Sequence, residues 1–445
     1  MMQGFRNLPG FQAALNIVKR LREAGFFACF VGGSVRDMLL GRPPKDIDIA
    51  TSATPEQAAE LFPHHHEVGM AFGVLVVIED GVPFEVATLR EEREYMDGRH
   101  PEIITYTDDP KLDAARRDFT INAMFYDPVS HEIIDYFGGR EDLDAGILRC
   151  VGDPVLRFGE DYLRMLRAVR FAVRFGLRID PAVRAAIEQL KQNVGKLSCE
   201  RIRQEMTLML TGPRPAEAIR ELSELGLLAF LLPEVEAMRG VEQPPQYHPE
   251  GDVFVHTMLM LEHMALPSLE LAWSVLLHDV GKPLTRTVGE DGVAHFYGHE
   301  HAGAEMAEVI LKRLRFSTAQ TETITQAVAS HMRFISVPRM RRPKLLRLMA
   351  DPNFAMELEL HRLDCLSSNM LMENFVFLLD EIAAKCGQVE LPPPLLTGRD
   401  LIELGMKPGP AFGRILKKVE DLQLEGKISS REEALAAIRR TTKRR

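Results

Sequence analysis

Strand-forming sequence stops near residue 140 of this chain, and that asymmetry limits the possible folds more than any other feature. Before it, short apolar runs alternate with turns. FFACFVGG (26–33) reads as a strand running into a glycine pair, and IDIATS (47–52) reads as a second strand. GVLVVIEDGVPFEVATLR (73–90) reads as a hairpin joined through Glu79-Asp80-Gly81. Residues 1–25 have helical spacing, VRDMLLG is a short helix closed by Gly41, and the charged, aperiodic stretch 91–115 reads as a mobile loop. From 155 to 385 helical periodicities follow one another, broken at Pro181, Pro213, Pro233 and QPPQYHPE (243–250); LPPPLLTG (391–398) then precedes a last helical segment. The expected class is α+β: a small head of mixed sheet with helices, then a long all-α body. The breaks suggest four parts, 1–150, 151–245, 246–385 and 386–445.

At 445 residues the chain is long enough for several packed units. Its longest apolar stretches, such as LELAWSVLLH (269–278), fall well short of the roughly 20 residues that span a bilayer. The N-terminus carries charges through its apolar positions and lacks a signal-peptide core. Cys29, Cys150, Cys199, Cys365 and Cys386 are scattered without CxxC spacing, as in a reduced, cytoplasmic protein. A net charge of −10 argues against coating nucleic acid by bulk charge. Between Arg157 and Arg203, however, eleven Arg/Lys stand against five Asp/Glu. Arginines at 164, 167, 170, 174 and 178 step by three or four, as along one helical stripe whose guanidinium forks suit phosphates.

The sharpest local signal is VGGSVRDMLLGRPPKDIDIA (31–50). Gly32 and Gly33 let the backbone approach something bulky where a helix begins, a natural phosphate seat. Asp46 and Asp48 alternate with Ile47 and Ile49, which puts both carboxylates on one face of a strand and both isoleucines in the core. Adjacent carboxylates repel unless a cation sits between them, and hard oxygen ligands favour Mg2+, which commonly brings substrate phosphates with it.

The GG-x-V-RD and D-x-D pair resembles the head of the bacterial (class II) CCA tRNA nucleotidyltransferase and poly(A) polymerase family, which has a polymerase-β-like fold. Two further blocks match that family in order: RRDFTINAMFYDP (116–128), and GEDYLRMLRAVRFAVRFG (159–176) with Glu-Asp-x-x-Arg at 160–164. The resemblance implies that Asp46 and Asp48 are the catalytic Mg2+ ligands and that Gly32, Gly33 and Arg36 hold the triphosphate. It implies phosphate or sugar contacts for Arg117, and ribose recognition by Asp118 and Asn122; a salt bridge and a capping Asn at a domain junction are the alternative for these. Asp161 and Arg164, one helical turn apart, would read the Watson–Crick edge of C or A in place of a template. Arg167 and Arg170 would continue that face to the phosphates, and Glu85 would add a third carboxylate near the metals. The implied substrates are CTP, ATP and a tRNA or other RNA 3′ end. REEREYMDGRHPE (90–102) has the length of the loop that accompanies full CCA addition. EVGMAFGVLVVI, just before the hairpin, lacks the basic run typical of bacterial poly(A) polymerases.

Most of the histidines lie between 248 and 331. LLHDVGKP (276–283) resembles the HD phosphohydrolase signature, with His256 upstream and Asp364 downstream of His278-Asp279. Imidazole and carboxylate together suit a transition metal such as Ni2+ or Mn2+, and His299 with His331 would complete a second position. Two uses stay open on sequence: a phosphodiesterase or phosphatase, and a scaffold for tRNA. The rival from another class is an HD phosphohydrolase with a nucleotide-binding, non-catalytic head, but both DxD carboxylates are present.

Overall fold

The computed structural model describes residues 10–442 apart from 68–69, 71–72, 96–100 and 386–388. The chain divides into two compact units, Met1–Glu236 and Ala237–Arg445.

Unit 1 opens with α1 (Phe11–Glu23), whose Phe11, Ala14, Ile17, Val18 and Leu21 are buried at helical spacing. Then come β1 (Ala28–Val31), α2 (Gly33–Leu39), β2 (Asp48–Thr51), α3 (Pro55–Leu61), β3 (His65–His66), β4 (Val74–Glu79) and β5 (Val82–Thr88). These are followed by β6 (Arg90–Tyr95), β7 (Pro101–Tyr106), α4 (Pro110–Ala115), β8 (Phe125–Tyr126) and β9 (Ile133–Ile134). Seven strands form one sheet in the order β3-β4-β5-β2-β1-β8-β9. Only β2–β5 is parallel among its pairs, so the sheet is mixed. The β4–β5 hairpin turns at Asp80 (φ 51°) and Gly81 (φ 76°), the two positive-φ positions that suit a tight two-residue turn.

Two expectations for the head are corrected. The strand that carries the DxD motif begins at Asp48, and Asp46 lies just before it in a bend. Ile47 and Ile49 are nonetheless both buried. The segment 91–115 is not a loop: β6 and β7 pair from Arg90↔Tyr106 to Tyr95↔Pro101, and α4 follows. Backbone pairing supplies this order, and a charged hairpin shows no apolar period. The buried Asp113 of α4 anchors its base, accepting from the Arg90 amide and pairing with Arg116 and Arg117. The tip, 96–100, lies outside the described residues.

The rest of unit 1 is helical: α5 (Gly139–Asp144), α6 (Pro154–Glu160), α7 (Leu163–Phe175), α8 (Pro181–Leu190), α9 (Cys199–Leu210), α10 (Pro215–Glu224), α11 (Leu228–Leu231) and α12 (Pro233–Glu236). A short parallel pair, β10 (Ile147–Leu148) with β11 (Arg178–Ile179), interrupts it. Gly176, at φ 71°, ends α7, so Arg178 belongs to β11 and not to the arginine stripe. Asp161 is likewise off that helix, in extended backbone at the end of α6, because its side chain caps the Leu163 amide.

Unit 2 is built from α13 (Val253–His263), α14 (Leu269–Leu277), α15 (Lys282–Thr285), α16 (His299–Arg313), α17 (Thr318–Ser330), α18 (Arg342–Met349), α19 (Phe354–Leu366) and α20 (Glu373–Ala383). A small hairpin, β12 (Thr287–Val288) with β13 (Ala294–His295), leads into α16. The last three helices, α21 (Gly398–Glu403), α22 (Pro410–Leu424) and α23 (Arg431–Thr442), share their own small core of Leu396, Leu401, Val419, Ala434 and Ile438. No helix among the described residues is long and apolar enough to cross a membrane.

One glycine sets the packing around the histidines. A Cβ on Gly281 would lie 2.3 Å from the His299 carbonyl oxygen and 2.5 Å from the Gly303 nitrogen, so α16 can lie against this turn only because position 281 has no side chain. Gly281→Ala is expected to cost about 1–3 kcal/mol through overpacking. Thermal unfolding should show the transition of unit 2 lowered by several degrees; an unchanged midpoint would mean that the two backbones separate without cost.

Candidate active site and metal centre

Antiparallel pairing sets Val31 opposite Asp48, so the turn that follows β1 lies beside the first residue of β2. Gly32 makes that turn at φ 72° and ψ −129°, a conformation suited to glycine, and a Cβ there would come within 3.0 Å of Arg117 Nη1. Parallel pairing of Ile49 with Val86 brings Glu85 alongside Asp48 on the same face. Burial, then Asp46, then Glu85 push the Asp48 carboxyl up to about 6, against the pull of Arg117. Unbalanced acid of this kind is what a divalent cation relieves.

A cavity of about 450 Å³ adjoins Asp48. Gly32, Gly33, Arg36, Arg116, Arg117, Asp118, Asn122, Asp161, Arg164, Arg167 and Phe171 line the rest of it. Five arginines against three aspartates give it the sign a triphosphate needs. Arg36 is buried, with its guanidinium 4.2 Å from the Phe175 ring, and donates to Asn122 Oδ1 and to Asp37. Asp118 accepts from Asn122 Nδ2 at 3.1 Å and from Arg167 Nε at 2.8 Å. Burial alone would raise Asp118, but Arg167 and Asn122 outweigh it and hold the carboxyl below its usual range.

Asp161 and Arg164 both reach the cavity but are not bonded to each other through their side chains. Arg201 of α9 grips Asp161 with both terminal nitrogens, at 3.0 and 2.6 Å. Arg164 pairs with Glu160 and donates to the carbonyl oxygens of Arg157 (2.8 Å) and Arg116 (3.2 Å). Arg170 does not line this cavity: it is buried and pairs with Glu205 at 2.6 Å. Arg116, Phe171, Arg201 and Glu205 escaped the sequence reading. Arg116 lies in the quoted RRDFTIN block, whereas Arg201 and Glu205 act across some 35–40 residues and leave no local signal.

In unit 2, His256, His278, Asp279, His299, His331 and Asp364 converge. His278 Nδ1, His299 Nδ1 and His331 Nδ1 each donate to the carbonyl three residues earlier, at 2.8, 2.8 and 2.7 Å. A carbonyl only accepts, so Nδ1 carries a proton in each ring, and in the neutral ring Nε2 presents a lone pair; against the effect of burial, Asp279 raises His299 above its ordinary value. The Nε2 atoms of His299 and His331 face each other at 3.2 Å. Burial pushes His331 down to about 4, which keeps it neutral. Asp279 lies 3.0 Å from His278 Nε2, 3.4 Å from His299 and 3.7 Å from His331, and its Oδ2 is 2.7 Å from the Lys282 ammonium; none of these contacts is aligned as a hydrogen bond. His256 Nε2 is 3.1 Å from Asp364, again without hydrogen-bond alignment. Opposed lone pairs and orphaned buried oxygens fit cations held between them. The ligand atoms fall into compact groups, among them His256/His278/Asp279 and Asp279/His299/His331. Two further neighbours were not singled out from sequence: Glu250, 2.7 Å from His256, and Lys282, 2.7 Å from Asp279.

Three domain families match the chain: the Poly A polymerase head domain over 28–149, the probable RNA and SrmB-binding site of polymerase A over 176–239, and the HD domain over 252–359. The CCA-adding enzyme of Lacticaseibacillus paracasei is 31% identical over 437 residues, 97% of this chain and 96% of that protein. The chain belongs to the CCA-adding enzyme family. The CCA-adding enzyme of Geobacillus stearothermophilus is 45% identical over 223 residues, so there the chain spans about half of the relative, 55%. The crystal structure of the Bacillus stearothermophilus CCA-adding enzyme in complex with CTP is similar at a TM-score of 0.74 and 28% identity, covering 98% of each chain. The Thermotoga maritima CCA-adding enzyme complexed with tRNA shares the fold at a TM-score of 0.61 and 21% identity, again over 98% of each. Divalent-metal dependence goes with a nucleotidyltransferase family of this kind.

The raised Asp48 carboxyl has a sign that can be checked. Its folded value, about 6, lies above the ordinary value of 3.8, so its ionisation costs stability above pH 6 and costs nothing below about pH 4. In chelator-treated protein at pH 7.5, Asp48→Asn should raise stability by about 1–3 kcal/mol, and the gain should vanish toward pH 4. A destabilised variant at pH 7.5 would mean that the carboxylate is already balanced by the fold.

Proposed function

We propose that this chain adds C, C and A in turn to the 3′ end of tRNA, using CTP and ATP and releasing pyrophosphate. The observation that carries this reading is one cavity that brings Asp48 together with five arginines, Arg164 among them, and with Asp161. Asp46 and Asp48, with Glu85 beside them, would hold Mg2+, whose charge supports attack by the 3′-hydroxyl and departure of pyrophosphate. Backbone at Gly32 and Gly33, with Arg36 and Arg117, would seat the triphosphate. Asn122, oriented by Asp118 and Arg36, would meet the ribose hydroxyls, and Arg167 the phosphates. Arg170, held by Glu205, would brace α7 against α9 and make no contact with the nucleotide. The relatives' names, and a similar structure in complex with CTP, support the same reading. The free, buried Cys29 and Cys150 fit a cytoplasmic setting.

Incubating the protein with tRNA that ends at the discriminator base, with CTP, ATP or both, and sequencing the products tests the proposal. Ends extended to CCA are expected with both nucleotides. Runs of A, or termination at CC, would instead identify a poly(A) polymerase or a CC-adding enzyme.

Base choice is assigned to Asp161, an acceptor, and Arg164, a donor. C and A both present an exocyclic amine beside a ring acceptor, whereas G and U present the opposite pattern. Each mismatch leaves buried polar groups unpaired at about 1–3 kcal/mol. Asp161→Ala should therefore narrow the ratio of kcat/KM for CTP or ATP over UTP and GTP by tenfold or more. Uniformly lower rates with unchanged ratios would show that the base is read elsewhere.

A second reading concerns unit 2. The orphaned ligand atoms favour a Ni2+- or Mn2+-type centre that hydrolyses phosphate or 2′,3′-cyclic phosphate ends. His278→Ala should abolish such hydrolysis and spare CCA addition, whose residues lie in unit 1. If wild-type protein hydrolyses nothing with Mg2+, Mn2+ or Ni2+, the centre is structural.

A further inference from the structure

Further along α7, toward its C-terminus, unit 1 contains a second cavity of about 280 Å³, far more than a single water needs. Arg170, Arg174 and Arg214 line it with Thr211, Leu208 and Met209, and no carboxylate is in its wall. The three guanidiniums are not equivalent. Arg170 is buried and committed to Glu205. Arg214 shares an exposed contact with Glu217 at 3.1 Å, the kind of pair that is easily exchanged for another anion. Arg174 forms no ion pair among the described residues and rests on the Phe175 ring at 5.2 Å. Gly176 keeps the space open for the second of these: at φ 71°, a Cβ there would lie 2.9 Å from Arg214 Nη2. In a chain of net charge −10, a cavity lined by three arginines with two of them open to new partners is selective for anions. Forked donors arriving from two elements match the several oxygens of a phosphate better than the two of a carboxylate. The exposed Leu208 at the rim gives a pentose an apolar surface to lie on.

We propose that this cavity holds a backbone phosphate of the RNA substrate, gripped by Arg174 and Arg214, at a position separate from the nucleotide cavity. The identity of the RNA rests on the function proposed above; the phosphate chemistry does not. The test uses the full chain with Arg174→Gln and Arg214→Gln combined. Fluorescence anisotropy follows binding of tRNA that ends at the discriminator base, across a salt series and without nucleotides. The Kd is expected to rise about tenfold, and the slope of log K against log salt to shrink by about one to two, the contribution of two phosphate contacts. The KM for CTP and the kcat at saturating tRNA should stay within about twofold. The double Lys variant, which keeps the charges, should retain most of the slope.

A parallel arm titrates inorganic phosphate and reads the thermal midpoint. Stabilisation by phosphate that the Gln variant loses, with tRNA affinity unchanged, would assign the site to free phosphate and not to RNA. If the double variant fails to fold, Arg174→Gln alone carries the test, since that side chain is exposed. A folded variant with unchanged tRNA affinity, salt slope and phosphate response would overturn the inference. Wild-type protein that binds tRNA without extending it would overturn the proposed function and leave this site standing.

Discussion

The register of β1 against β2 is the constraint on which the head depends. Val31 opposite Asp48 places the glycine turn, the start of α2 and the second carboxylate of the motif at one end of the sheet. A slip of one residue would turn Asp48 toward the core and Ile49 toward solvent, which burial of Ile47 and Ile49 forbids. The parallel β2–β5 pairing then adds Glu85 on the same face, so repulsion among carboxylates is built in by the same hydrogen bonds that stabilise the sheet.

Around that acidic edge, the positive charge is held in place by acids further back. Asp118 orients Arg167 and Asn122, Asp113 holds Arg116 and Arg117, and Glu205 holds Arg170 and lies 4.0 Å from Arg167. Each pairing desolvates a charge and compensates it, which makes the guanidiniums rigid instead of merely numerous. The base-edge candidates follow the same plan, Asp161 braced by Arg201 and Arg164 by Glu160. Preorganised donors of this kind can act on a nucleotide without first paying the entropy of ordering long side chains.

Unit 2 reaches a different balance. Its histidines are oriented by backbone carbonyls on their Nδ1 side, and their Nε2 atoms face Asp279 in a buried cluster. The Lys282 ammonium at 2.7 Å compensates one oxygen of Asp279, and the close approach at Gly281 packs α16 against this turn.

Sequence patterning alone determined the order of a small head with strands before a long helical body, the β4–β5 hairpin and the DxD, RRDFTIN and HD blocks, because these depend on period, turn chemistry and motifs within a few tens of residues; that the head's sheet is mixed was implied by the family resemblance. It misjudged what depends on partners remote in sequence. The 91–115 segment looked featureless because strand pairing without an apolar period leaves no trace in composition. Arg170 and Arg178 continued an arithmetic stripe, but one is neutralised by Glu205 and the other lies beyond the glycine that ends α7. Asp161 and Arg164 were separated by a local cap and by Arg201, forty residues away. The six candidate ligands of unit 2 span residues 256 to 364, and only folding decides that they converge. Local spacing specifies which residues share a strand or helix face; which charge is left unpaired, and so free to bind, is a property of the folded neighbourhood.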